Sequence, residues 1–300
     1  MASPRSYAEQ GCKDVLSTLI SQNSFTHSHT VQYHISKAGL MGKKLLIVFQ
    51  ELKGSFGVRI QEEMNFCMQV FPQVVVLASQ SGKMGKKHVE EWFDRVFKPE
   101  LEENSSILLL DAFGGQGPNR LLSERTDKTL HCQYIPKGTT YLCQPCDLGL
   151  FRQLKAIIRP IVVMCRSRFL GKRSGLKTSN RYFIIVSQVL AHNQLSADCY
   201  VPMLKHAWQA GGYKNSSPVD VFKAVNEVNF LKLSSLKCES CDSFCFIRCA
   251  HCSKTLCFDH FVLNFHYHEV ANHNKINHQN LPKIIDKLAI PPGQEQDDEE

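Results

Sequence analysis

Between Cys238 and His268 the chain reads CESCDSFCFIRCAHCSKTLCFDHFVLNFHYH, a spacing of C-x2-C-x7-C-x2-C-x4-C-x2-H-x5-H-x-H. No other stretch constrains the fold as tightly. About thirty residues cannot build a sufficient core alone, so bound metal must supply the folding energy; structural zinc contributes about 10–16 kcal/mol in small peptides. Eight ligands in four pairs make two tetrahedral zinc sites. The expected arrangement is a cross-brace. Cys238, Cys241, Cys257 and His260 hold one zinc, and Cys249, Cys252, His266 and His268 hold the other. Protein ligands close both sites, which argues against hydrolytic zinc chemistry. Cys245, His251, His273 and His278 are left over. A disulfide-bonded or unliganded cysteine-rich tail is the alternative. Against it, the N-terminus MASPRSYAEQ lacks the apolar core of a secretory signal, and in an intracellular protein paired cysteines two residues apart read as metal ligands.

A second constraint lies upstream. Four apolar residues, Ile107 to Leu110, end in Asp111 and are followed by the turn formers FGGQGP. That is the pattern of a buried strand with a carboxylate at its C-terminal end. A second apolar strand, 131–135, leads through a Thr-Thr loop to Asp147, which opens a long amphipathic helix. Two acids so placed can hold a divalent metal for phosphodiester chemistry. By spacing alone, each is equally readable as a loop cap or an ordinary N-cap.

In sequence order, 14–20 fits a short helix or strand. Thr30–Ser36 and Lys44–Phe49 form a hairpin turning at Ala38-Gly39, and 52–61 reads as a loop. A buried strand over 74–78 is followed by a helix over 87–97 that Pro99 ends. After Asp147, an apolar stripe from Leu150 to Val162 predicts a helix that Pro160 kinks or breaks. Further helices are expected over 182–192, 203–209 and, in a linker, 219–228. Strands alternating with helices make this an α/β protein, and the 43% hydrophobic content is enough for a real core. No G-x-x-x-x-G-K-[ST] or G-x-S-x-G motif occurs. Cys146 has no nearby histidine in sequence, and Cys12, Cys67, Cys132, Cys165 and Cys199 read as packing residues.

The segment PKGTTYLCQPCDLG (136–149) resembles the "PPxTTxxxQPLDxG" block of DDE endonuclease domains in pogo/Tigger/jerky-type transposases. Ile107-Leu-Leu-Leu-Asp111 resembles that family's second-aspartate strand. Ser79-Gln-Ser-Gly-Lys-Met-Gly with Glu91-Trp-Phe and Phe97-Lys-Pro resembles its "S-x-SGxM…EW…F-x-P" block. Ala207-Trp208 with Gly211-Gly-Tyr resembles its "AWxxxG" helix, so the likeness spans roughly 26–213 in family order. It implies an RNase H-like mixed sheet with flanking helices, followed by the small zinc-stabilised cross-brace finger. It also implies that Asp111 and Asp147 hold Mg²⁺ or Mn²⁺ as two of three catalytic acids. The first acid should lie upstream of the hairpin, where the carboxylates are Glu9 and Asp14, neither in the family's context. The expectation is therefore an N-terminally truncated and catalytically inactive protein. The finger resembles B-box or RING-related fingers without the usual final Cys pair, with His268 where transposase relatives are expected to carry Cys. The expected organisation is an N-terminal remnant (1–25), the endonuclease domain (26–213), a linker (214–236), the finger (237–270) and a tail (271–300) that ends in acids.

Charge adds one more reading. The net charge is +7, and no Asp or Glu occurs from 148 to 197. Arg166, Arg168, Lys172, Arg173, Lys177 and Arg181 cluster there. Such a run reads as a solvated surface or as a patch for nucleic-acid phosphates. The expected partner is DNA, which places the protein in the nucleus. A protein partner through the finger and a dimer are compatible with this reading, and no window is apolar enough for a membrane span. Two rivals stand beside it: an active transposase completed by Asp14, and a zinc-finger interaction protein whose α/β part is a scaffold.

Overall fold

The computed structural model describes residues 28–102, 105–111, 120–169, 179–213, 236–270, 273 and 275–288. Glu9, Asp14, Lys172, Arg173, Lys177, the 219–228 helix and the acidic end lie outside the described residues.

Strands β1 (His29–Gln32) and β2 (Leu45–Gln50) pair antiparallel, Thr30 opposite Val48, as the hairpin pattern predicts. Gly39 makes the turn at φ +82, a conformation that suits glycine, and its N–H donates to the Ser36 carbonyl at 3.0 Å. Strand β3 (Val74–Ser79) runs parallel to β2. Parallel pairing needs a crossover, and helix α1 (Val58–Val70) supplies it. This helix begins inside the stretch read as a loop. Gly54 and Gly57 are loop residues, but Met64, Cys67 and Val70 recur at helical spacing and are buried.

Helix α2 (Lys86–Trp92) continues as a π-helical segment, Phe93–Phe97, and a 3-10 turn, Lys98–Glu100, that holds Pro99. Strands β4 (Ser106–Asp111) and β5 (Leu130–Ile135) are parallel, Asp111 opposite Ile135, with α3 (Arg120–Glu124) between them. Next come α4 (Thr140–Cys143), a π-helical turn at Cys146–Leu150, and α5 (Phe151–Phe169). Of the kink or break expected at Pro160, the break does not occur: α5 continues through it as one helix. Leu154 and Ile157 before the proline, and Ile161 and Cys165 after it, all bury into one core, so packing on both sides offsets the missing N–H. Helices α6 (Arg181–Leu195) and α7 (Val201–Ala210) complete this part.

Successive side chains of β2 point to opposite faces. Leu45, Ile47 and Phe49 join the cluster formed with α1, α5 and α6, whereas Leu46 and Val48 join α2, β4 and β5. Helix α6 is buried at every residue from Tyr182 to Leu195. Its outer side is covered by the Cys/His-rich region, where β6 (Ile247–Arg248) pairs antiparallel with β7 (Thr255–Leu256) and a π-helical turn spans Asp259–Leu263. Phe258 and Phe261 belong to the same cluster as α6, and the rings of Phe71 and Phe265 lie 5.4 Å apart. Part of the expected tail also packs: Ile284 of α8 (Leu281–Asp286) and Leu288 are buried, and the Asn277 N–H donates to the Val70 carbonyl at 3.0 Å.

Among the described residues the strands form separate sheets, β1-β2-β3 and β4-β5, besides β6-β7 of the Cys/His-rich region. Consequently β1 and β4 each keep one edge without a strand partner among the described residues. A cavity of about 1250 Å³ is lined by both, taking in every residue of β4. The run expected to be a buried strand is only partly covered: Leu108 and Leu110 are buried, while Ile107 is 69% exposed. No helix among the described residues is long and apolar enough to cross a membrane.

Candidate metal and nucleic-acid sites

Asp111 is the last residue of β4, and the Thr140 hydroxyl donates to its Oδ1 at 3.4 Å. Asp147 sits in the π-helical turn ahead of α5, its N–H donating to the Gln144 carbonyl at 3.1 Å. These two elements, 35 residues apart in sequence, put both carboxylates on the wall of the same cavity. Partial desolvation raises the exposed Asp147 carboxyl above its ordinary range, the Asp111 charge raises it further, and Lys155 opposes both. Asp111 is the one acid acting on Asp147 in this way among the described residues. A carboxylate disfavoured by the charge of a neighbouring acid is favoured again by a divalent cation placed beside it.

The Asp147 turn is fixed by close packing. A Cβ at Gly149 would lie 2.7 Å from the Cβ of Ala207 on α7, so only glycine lets the turn approach that helix. Sequence pattern gave Gly149 no role, although it follows Asp147-Leu directly and the Ala-Trp pair at 207–208 lies in another of the transposase-like segments. Burial pushes the neighbouring Cys146 thiol up to about 12, with the Asp147 charge adding to it, so it is no nucleophile at neutral pH. The Gln144 Oε1 and Trp208 Nε1, both from residues lining the cavity, have no hydrogen-bond partner among the described residues.

The eight Cys/His ligands gather into the two predicted quartets: Cys238, Cys241, Cys257 and His260, and Cys249, Cys252, His266 and His268. Within each, the donor atoms all lie within 4.8 Å of one another. In the first quartet the Cys241 and Cys257 sulfurs are 3.7 Å apart and each approaches His260 Nδ1, at 3.5 and 3.1 Å. In the second, Cys252 Sγ is 3.4 Å and His268 Nε2 3.0 Å from His266 Nε2. Each quartet could hold one metal ion. Of the unassigned residues, Cys245 donates to the Ile247 carbonyl at 3.3 Å, and His251 stacks on His268.

The basic residues divide. Arg166 is exposed on α5, and Arg168 lies near the end of the same helix. Arg181, at the start of α6, gives its guanidinium to Glu51, with Nε 3.0 Å from Oε1, so its charge already has an internal partner.

A family model described as DDE superfamily endonuclease matches residues 62–210. A second, described as Tc5 transposase C-terminal domain, matches residues 208–268. The first match includes Asp111 and Asp147, and the second includes all eight residues of the two quartets. No curated protein and no solved structure matches the sequence.

Proposed function

We propose that this protein, which is DDE-type and transposase-derived, binds DNA in the nucleus and keeps a two-carboxylate Mg²⁺ or Mn²⁺ site, but cuts DNA slowly or not at all. The observation that carries this reading is the placement of Asp111 and Asp147 on one cavity, with Asp111 the sole acid shifting Asp147 among the described residues. When bound there, a divalent ion supplies Lewis-acid activation of a water or 3′-hydroxyl. Asp111, held by β4 and bonded to Thr140, and Asp147, held by the turn packed on Ala207, would be its protein ligands. The unpartnered Gln144 and Trp208 atoms suit a cavity that receives a polar ligand.

The pairing of β1-β2-β3 and β4-β5 around one cavity supports an RNase H-like domain. The hairpin β1-β2 and the Asp111 strand face one cavity, each with an edge that has no strand partner among the described residues, the position in which that fold carries its first, acid-bearing strand. Phosphate contacts from Arg166 and the adjoining basic run would make DNA binding weakly sequence-specific and strongly salt-dependent.

Zinc suits both quartets. A tetrahedral Zn–S bond of about 2.3 Å puts two sulfurs about 3.8 Å apart, against 3.7 Å between Cys241 and Cys257. The donor sets, three thiolates with one imidazole and two of each, are those of structural sites.

The test is nicking of supercoiled DNA with Mg²⁺ or Mn²⁺, alongside binding of the same DNA. Binding with negligible nicking supports the reading. Robust nicking that disappears in Asp111→Ala would overturn the claim of inactivity and favour an enzyme completed by another acid, for which Asp14 is the candidate.

A further inference from the structure

The two quartets differ in what surrounds them. Cys238 of the first receives the N–H of Ser240, 3.4 Å away and within the finger. Ligands of the second are held from outside. Asn193, on the last turn of α6, donates from Nδ2 to the His268 carbonyl at 2.7 Å and accepts the His268 N–H on Oδ1 at 3.2 Å. Gln194 accepts the Ala250 N–H at 2.7 Å, next to Cys249, and its Nε2 lies 3.6 Å from the Cys249 sulfur. Both amides are 1% exposed. Consecutive helical residues point about 100° apart, so this pair reaches two ligands from opposite ends of the motif. The Asn193 carbonyl, which near the helix C-terminus also accepts the Ser196 N–H at 3.1 Å, takes the Nε2–H of His251 at 2.8 Å. That ring stacks on His268, with centroids 5.0 Å apart.

We infer that the second metal site is completed by the endonuclease domain: Asn193 and Gln194 position His268 and Cys249, so that site takes metal with full affinity only when α6 is docked against it. The inference rests on reading the second quartet as a metal site. Buried amides left without partners would be costly, so the finger and α6 hold each other. The first quartet, for which no such outside partner occurs among the described residues, serves as an internal control. Partners of this kind alter metal affinity about 10–100-fold when removed.

The experiment uses the full-length protein and its Asn193→Ala and Gln194→Leu variants, stripped of metal and titrated with Zn²⁺ against a chromophoric chelator, then with Co²⁺. The thiolate-to-cobalt charge-transfer band separates the sites, because one has three sulfurs and the other two. The expected result is two bound equivalents in the unaltered protein and, in each variant, a 10–100-fold weaker second equivalent with the three-thiolate spectrum kept. Equal weakening at both sites, or at neither, would overturn the inference. An unaltered protein that binds fewer than two equivalents would instead overturn the reading of the second quartet itself.

Discussion

Replacing Gly149 by alanine tests how the Asp147 carboxylate is held. The added Cβ would meet the Ala207 Cβ at 2.7 Å, whereas carbons pack without strain at about 3.5–4.0 Å. The turn or α7 must therefore give way by about 1 Å. Ala207 is 2% exposed, so its methyl has no open side to move into. Overpacking of this kind costs about 1–3 kcal/mol, while alanine in place of a helical glycine recovers up to about 1 kcal/mol. The net destabilisation of Gly149→Ala is then about 0–3 kcal/mol, too broad to be decisive alone. A double-mutant cycle with Ala207→Gly isolates the contact. The second change removes the obstructing methyl, so the double variant should be more stable than the sum of the single effects by about 1–3 kcal/mol. Urea unfolding gives the stabilities. Mn²⁺ titration followed by paramagnetic resonance reports Asp147: affinity should fall in Gly149→Ala and return in the double variant. Single effects that add to within about 0.5 kcal/mol would refute the contact. Unchanged Mn²⁺ affinity in a destabilised Gly149→Ala would refute the link to the carboxylate.

Asp147→Asn should stabilise the metal-free protein at neutral pH, by less than about 1 kcal/mol because the group is exposed and screened. The sign follows from the raised carboxyl: the folded state favours the proton, so that contribution is present at acid pH and lost as pH rises through the raised value. Thermal unfolding with and without the substitution, at about pH 3.5 and about pH 7, on either side of the ordinary carboxylate range, should show the gap only at the higher pH, and a gap at both would count against it. Stripping both quartets with a chelator should lower global stability by about 8 kcal/mol, about 4 for each quartet, relative to zinc held a thousandfold above the Kd of both, seen as a fall in the melting temperature of the α-helical signal, because Phe258 and Phe261 share the α6 core. Duplex DNA affinity should drop steeply with salt, and Arg166→Ala should lower the log–log slope by about 0.9; a flat salt response would exclude phosphate contacts. Cys146 should escape alkylation by iodoacetamide at about pH 8 in the native protein and react once unfolded, as mapped by peptide mass spectrometry.

Much of this was legible in the residues. Hydrophobic runs with turn formers located β1 to β5, and the Cys/His spacing fixed which ligands meet. The two aspartates could be brought together through the segments that resemble transposase sequences, since local pattern alone reads them as caps. What escaped has a common cause: it depends on contacts between distant segments. Gln188, His192, Asn193 and Gln194 interrupt an apolar helix, a signal that something polar must cover it, but the residues covering Asn193 and Gln194 lie more than fifty positions on. The continuous α5 breaks the local rule for Pro160 because its flanking residues are buried on both sides. Helix α1 was hidden by two glycines just ahead of its first turn.

A helix with no outer face sets an order of assembly. As the polypeptide leaves the ribosome, α6 emerges complete while the residues that will roof it are still unmade, at least forty positions behind. Its buried amides and rings must wait beside water or a chaperone until the cysteines arrive, so the last piece to close is the one that finishes the middle. A messenger cut short before Cys238 would yield a protein with its central rod laid bare.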